Sequence, residues 1–163
     1  MISRTRDGEC GAAAVEFALL VPLLFALLFG IIDYGLWFND SLNVRQGVRE
    51  AARRGVVQNF AYPECAGTQP QRLACAAKDE IGAVTGPTYV RVSASEGWGR
   101  GRSLTVCGMV KAGAVTGLAP LPADGLVKSK TSMSIEVTSP GPTSDPFVYQ
   151  DTVPEGVDWS WCE

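Results

Sequence analysis

Few residues in this chain have chemistry to offer. Histidine is absent from all 163 positions, which removes the commonest general base, the commonest metal ligand and the side chain that titrates nearest neutrality. Thiols and carboxylates remain. Cys65, Cys75, Cys107 and Cys162 are separated by 10, 32 and 55 residues, intervals that match no C-x-x-C metal or redox spacing. No Ser-His, Cys-His or metal-ligand constellation can be drawn, and no motif points to a Ser-Lys or paired-carboxylate device. The sequence therefore assigns no catalytic, metal or cofactor residue, and the expectation is a protein that is not an enzyme. One carboxylate stands in an odd place. Glu16 lies near the front of "GECGAAAVEFALLVPLLFALLFGII" (Gly8 to Ile32), where a bilayer penalises an acid by roughly 2.5–3.5 kcal/mol. Either Glu16 snorkels to headgroups at an interface, or it has a partner.

The element that positions Glu16 is a candidate membrane span. Phe17 to Ile32 holds 16 residues without a charge, and residues 12–32 make 21, against the roughly 20 that a spanning helix needs. Arg4 and Arg6 precede the run and no Lys or Arg follows until Arg45, which favours a cytoplasmic N-terminus. A secretory signal peptide fits poorly, because "FGIIDYGLWFND" offers no small-residue exit after the run. A lipoprotein signal fails too, since Cys10 comes before the apolar stretch. The small residues "GAAA" also lie before it, so the order of parts suits a cut on the cytoplasmic side that keeps the helix.

That order resembles the prepilin class of signals, in which a short polar leader ends in Gly and Glu stands fifth in the mature chain. Here Gly11 ends the leader, Ala12 begins the mature chain, and Glu16 is fifth, followed by Phe17. The following text, "FGIIDYGLWFNDSLNVRQGVREAARRGVV", looks like the TadE-type minor pseudopilins of the tight-adherence (Tad) pilus. Their stalk ends in a Gly-containing apolar stretch with an acid, then a helix with an "A-R-x-G"-like signature, here "AARRG" (Ala51 to Gly55). The resemblance is strong over about the first third of the chain. It implies a pilin-like α+β fold, processing by a prepilin peptidase at Gly11–Ala12, and assembly through Glu16 and Phe17. It also implies a single-pass protein of the bacterial inner membrane with a periplasmic C-terminal domain, whose partners are other Tad pilus subunits and the assembly platform.

The physics of Glu16 stands beside that resemblance. A cut after Gly11 creates an α-amino group on Ala12 with an unperturbed pKa of about 7.7–8.0. Glu16 lies one helical turn away, or faces the same amine on a neighbouring subunit. Pairing in a low-dielectric setting offsets much of both desolvation costs.

Beyond the span, 46% hydrophobic and 19% charged residues suit a folded domain. From Asp33 to Asn59, Trp37, Val44, Val48, Ala51, Ala52, Gly55 and Val56 recur at helical steps. Arg45, Arg49 and Arg53 form a basic ridge on another face, either solvated or meeting a neighbour's acidic tail, and Glu50 is placed to pair with Arg54. Pro22 predicts a kink or local break in the stalk. Gly30 and Gly35 allow close helix contact or are ordinary membrane-helix glycines. "FAYPECAGTQP" (Phe60 to Pro70) reads as a loop and Gln71 to Val84 as a short helix stopped by Gly86-Pro87. Strands are expected over Thr88–Ser95, Ser103–Gly113 and Lys128–Ser139, the last with Met133, Ile135 and Val137 on one face. An antiparallel sheet on the amphipathic half of the first helix would bury both apolar faces. The tail from Pro140 to Glu163 shows no periodicity until "DWSWC". "EGWGRGR" (Glu96 to Arg102) is a hairpin tip rather than a nucleic-acid contact, because two arginines are too few for phosphate-driven affinity and net charge is only −3.

The organisation is thus a leader (1–11), a transmembrane helix (12–32), an amphipathic continuation (33–59) and an extracytoplasmic α+β domain with a tail (60–163). Loss of the leader removes Cys10 and leaves an even number of cysteines outside the cytoplasm, where disulfides rather than free buried thiols are the economical reading. Of three connectivities, Cys65–Cys75 with Cys107–Cys162 is favoured, since it pins the tail onto the second strand. The functional expectation is a minor pseudopilin, with a signal-anchored periplasmic binding or adhesion module as the alternative. Only the first needs Glu16 and the Gly11–Ala12 bond.

Overall fold

The computed structural model describes residues 7–137 and 145–163. Residues 1–6, with Arg4 and Arg6, and residues 138–144, where the expected third strand ends and the tail begins, lie outside the described part. One helix, α1 (Asp7–Val56), runs for 50 residues, about 75 Å at 1.5 Å per residue. No residue from 11 to 32 is buried, and the helix is long and apolar enough to cross a membrane. Of the kink or local break expected at Pro22, the break does not occur: the helix continues through it. Proline removes only one backbone donor, and its fixed φ is already near the helical value.

The helix stops at Val56 rather than Asn59. Gln58 takes a left-handed φ of 58°, its N–H donates to Gly55 O at 2.9 Å, and Asn59 N–H reaches Arg54 O at 2.9 Å. That pair of bonds closes a helix C-terminus and satisfies carbonyls the helix leaves orphaned. A second helix, α2 (Gln69–Ile81), starts and ends earlier than expected. Pro70 belongs to its first turn, where a missing N–H costs nothing. Gln71 Oε1 accepts from Thr68 N–H at 2.8 Å, and Gly82 at φ 68° terminates the helix.

Three expected strands form, β1 (Thr88–Ala94) and β2 (Ser103–Lys111) with slightly shorter bounds and β3 (Leu126–Ser134) shifted toward the N-terminus, so that of Met133, Ile135 and Val137 only Met133 lies in the strand. A fourth was not legible: β4 (Phe147–Gln150) comes from the tail and pairs with β1. All pairings are antiparallel, in the order β3-β2-β1-β4. The fold is the expected α+β arrangement of a long N-terminal helix on a small antiparallel sheet.

Alternation along the strands divides the core in two. Val90, Val92, Leu104, Val106 and Val110 face the helices and meet Val44, Val48, Ala51, Ala52 and Val56 of α1 with Leu73, Ala77 and Ile81 of α2. The opposite face of the sheet, with Tyr89, Cys107 and Met109, is covered by Val157, Trp159 and Cys162 of the tail. Two disulfides form, Cys65–Cys75 and Cys107–Cys162. The first ties the loop after α1 to α2; the second fastens the tail to β2. Asp151 adds a polar anchor, accepting from Val90 N–H at 2.7 Å and pairing with Lys78 at 2.9 Å. The β1–β2 connection is a hairpin tip with Trp98 buried beside Phe60 and Phe147, so its tryptophan belongs to the core.

Glycine sets how closely these layers approach. A Cβ on Gly47 would lie 2.5 Å from Ile81 Cγ1 and 2.6 Å from Ile81 N, while one on Gly35 would meet nothing within 4 Å. Because backbone cannot swing aside, Gly47→Val should destabilise the domain by about 1–3 kcal/mol or more. Gly35→Ala should change little. Denaturant unfolding of the full chain in detergent, followed by tryptophan fluorescence, measures both; equal midpoints for the two variants would contradict the packing.

Candidate functional site: the stalk and its junction with the domain

The residues singled out from the sequence fall into two separate regions. Gly11, Ala12, Glu16 and Phe17 lie on the exposed first part of α1, with Ala12 and Glu16 one turn apart. They touch no part of the domain core. Cys65, Cys75, Cys107 and Cys162 are all bridged within the domain and hold it together. Nothing brings the two sets near each other.

Between them lies a junction that sequence reasoning missed. Asp33 is only 2% exposed and Asp40 is fully buried. Asp33 Oδ1 accepts from Val115 N–H at 2.9 Å and Thr116 N–H at 3.0 Å, while the Thr116 hydroxyl donates to Oδ2. One step of seven further along, Asp40 repeats the device: Thr85 N–H reaches Oδ2 at 3.2 Å and the Thr85 hydroxyl donates to the same oxygen. Tyr34 Oη donates to Pro120 O at 3.0 Å and Asn43 Nδ2 to Ala83 O at 3.2 Å. Four polar side chains of one helix thus hold two connections of the domain, that between α2 and β1 and that between β2 and β3.

Each bond is reciprocal in its effect. A buried carboxylate is costly unless its lone pairs are used, and loop N–H groups with no ladder partner are costly as well. Joining them removes both penalties. The signal in the sequence was the spacing: Asp33, Trp37, Asp40, Val44, Gly47, Ala51 and Gly55 step by four and three along a single seam. Two of its members are acids, and acids are ordinarily read as solvent-facing.

At the far end of that seam the "AARRG" stretch becomes intelligible. Ala51 and Ala52 are fully buried, and a Cβ on Gly55 would meet Leu104 Cδ2 at 2.5 Å and Leu73 Cδ2 at 2.8 Å. Arg54 is the polar hub. Its Nε donates to Glu50 Oε1 at 2.7 Å, its Nη2 pairs with Glu80 Oε1 of α2 at 2.6 Å, and its Nη1 donates to the Tyr62 hydroxyl. Glu50 pairs with Arg54 as expected and also with Arg53 at 2.7 Å. Hydrogen bonds from Arg53 and then Arg54 lower the Glu50 carboxyl from an ordinary 4.5 to about 2. Arg45, Arg49 and Arg53 of the basic ridge are exposed.

Comparison with known proteins adds one finding. The family model described as TadE-like protein matches residues 11–53, the stretch that holds the stalk, Asp33, Asp40 and most of the seam. No curated protein and no solved structure matches the chain.

Two outcomes follow for the junction. Asp33→Ala leaves the Val115 and Thr116 N–H groups without their acceptor, and hydrogen bonds to a charged group contribute about 1.5–3 kcal/mol each. Amide exchange at Val115 and Thr116 should then accelerate by tenfold or more, while the β2 core amides stay protected; unchanged exchange would refute the clamp. The second outcome concerns pH. Because the Glu50 pKa is depressed on folding, its stabilisation is complete above the unfolded value near 4.5 and is lost as pH falls through about 2. Stability of wild type should weaken between about pH 5 and about pH 2, and Glu50→Gln should flatten that segment of the curve.

Proposed function

We propose, from the premise that the chain is TadE-like over residues 11–53, that it is a minor pseudopilin of a Tad-type pilus. Its role is structural: it sits in the bacterial inner membrane through residues 12–32, with the N-terminus cytoplasmic and the domain periplasmic. A prepilin peptidase cuts after Gly11, and Ala12 becomes the new N-terminus. Its partners are the other pilus subunits and the assembly platform, and it neither performs catalysis nor binds nucleic acid.

One observation carries this reading. A helix with no buried residue from 11 to 32 continues without a break into the seam that holds the domain. Such a subunit presents its first half wholly to lipid or to other helices. Glu16 fits the same account. It lies on the exposed first part of α1, so the partner that offsets its charge does not come from the domain. The amine of Ala12, on the same or a neighbouring chain, supplies that partner.

Intact-mass analysis of membrane-extracted protein should show loss of the first 11 residues. Replacing Gly11 by a bulky residue should block that loss, because the peptidase needs close backbone access there. Glu16→Gln deletes the charge while keeping the size. Stranding one member of a buried pair costs roughly 3–5 kcal/mol, and the lower end applies here because the amine can deprotonate. The variant should insert and be processed normally, yet cross-link poorly to other pilus subunits and support few pili. Wild-type piliation by Glu16→Gln, or a mature chain that keeps its leader, would favour the signal-anchored binding module instead.

A further inference from the structure

The connection from β2 to β3 has a composition and a position that its role as a link does not explain. From Ala112 to Ala123 it reads "AGAVTGLAPLPA", with no charged residue. Surface connections are ordinarily polar because they face water. Here Val115 is 67% exposed and Leu118 is 65% exposed. The single hydroxyl in the stretch, that of Thr116, is turned inward onto Asp33. The Thr116 hydroxyl and the Val115 and Thr116 N–H groups face the stalk, while the Val115 and Leu118 side chains face out.

The course of β2 fixes where this surface lies. Leu104, near the start of β2, sits beside Gly55, and Gly108 sits beside Val44 and Val48. The strand therefore runs back along α1, from its far end toward the apolar span. The connection that follows reaches furthest, to Asp33 and Tyr34. Asp33 is the first residue beyond the span of 12–32, so Val115 and Leu118 are tied to the stalk where it leaves the hydrocarbon. Lys111 immediately precedes the stretch, and its Nζ donates to Asp124 O at 2.6 Å just past the other end. A cation at the base with apolar residues beyond is the order that an interfacial segment shows.

We propose that residues 112–123 form a membrane-seated loop, with Val115 and Leu118 inserted among the headgroups and upper acyl chains of the bilayer that holds the stalk. The occupant of this apolar surface is lipid, because the loop is hydrogen-bonded to the residue that follows the span. The domain is thereby held against the membrane at two points, the helix and the loop, which restricts its tilt. The inference rests on residues 12–32 spanning the bilayer.

The test uses the full chain, with both disulfides intact and Cys10→Ser, reconstituted in phosphatidylethanolamine–phosphatidylglycerol vesicles. Single cysteines replace Val115, Leu118, Leu24 or Val148 and carry an environment-sensitive fluorophore. Val148 is comparably exposed on β4 and serves as the aqueous reference; Leu24 reports the span. Labels at 115 and 118 should be quenched by lipids bearing a shallow acyl-chain quencher and shielded from aqueous iodide, opposite to the label at 148. Iodide quenching at 115 and 118 equal to that at 148, with the label at 24 still quenched by lipid, would overturn the loop proposal and leave the span intact. Absence of lipid quenching at 24 would overturn the span and the loop together. Shielding of 115 and 118 from both quenchers would also overturn it, pointing to a protein contact at this surface.

Discussion

The structure depends on two buried carboxylates. A helix that leaves a bilayer and carries a domain must fix that domain in height and in rotation, and an apolar seam does the second better than the first. Rows of Val and Ala are chemically alike, so sliding one helix along a sheet exchanges similar contacts. Asp33 and Asp40 are not interchangeable with their neighbours. Each is buried, and each has its oxygens used by a backbone N–H and a threonine hydroxyl of one connection. Moving the domain by one residue would strand two carboxylates and the loop donors together, and an uncompensated buried charge is among the costlier defects a fold can carry. Register therefore comes from the acids, and bulk burial comes from Val44, Val48, Ala51 and Ala52.

Close approach makes those polar bonds reachable. Gly47 lets Ile81 of α2 lie against the backbone of α1, and Gly108 lets the sheet meet Val48 directly. With larger residues there, the layers would stand apart and the loop amides would fall short of Asp40. Small residues along the seam and acids at its membrane end are two parts of one device. Arg54 completes it at the other end, joining Glu50 of its own helix, Glu80 of α2 and Tyr62 of the loop between them.

Much of this was readable from residue order because period and burial agree. The apolar steps of α1 and the positions of Val90, Val92, Leu104 and Val106 on one face follow from spacing, whereas the disulfide partners, one of three possible connectivities, follow from the tail's need to be fastened to the sheet. What failed did so for definite reasons. Strand β4 has four residues and follows a proline-rich stretch, so it is too short for alternation to register; its place is set by pairing with β1. The start of α2 is hard to place because Pro70 reads equally as a loop residue and as a first-turn one. Asp33 and Asp40 were passed over because an acid on an apolar face reads as an interruption. Only the donors brought in from Thr85, Val115 and Thr116, between 45 and 83 residues away, turn it into a core position.

Glu16 differs from these acids in a way that bears on function. All three lie on one helix in apolar surroundings, and the sequence gives them the same chemistry. For Asp33 and Asp40 the fold brings donors from distant connections, and the cost of burial is met within the subunit. For Glu16 it brings none among the described residues: the domain ends a full 16 residues short of it at Asp33 along the helix, counting the residues 17–32 between them. If that stretch lies in hydrocarbon, a carboxylate the domain does not reach is offset by headgroups, by the amine of its own helix or by a neighbouring subunit. A snorkelling interfacial residue would need only water and headgroups and would place no demand on neighbouring helices. In the proposed assembly Glu16 needs a cation at a fixed depth, and a cut after Gly11 would create one on Ala12, one turn away. On the proposed function, that asymmetry separates the acids that build the subunit from one left for its neighbours.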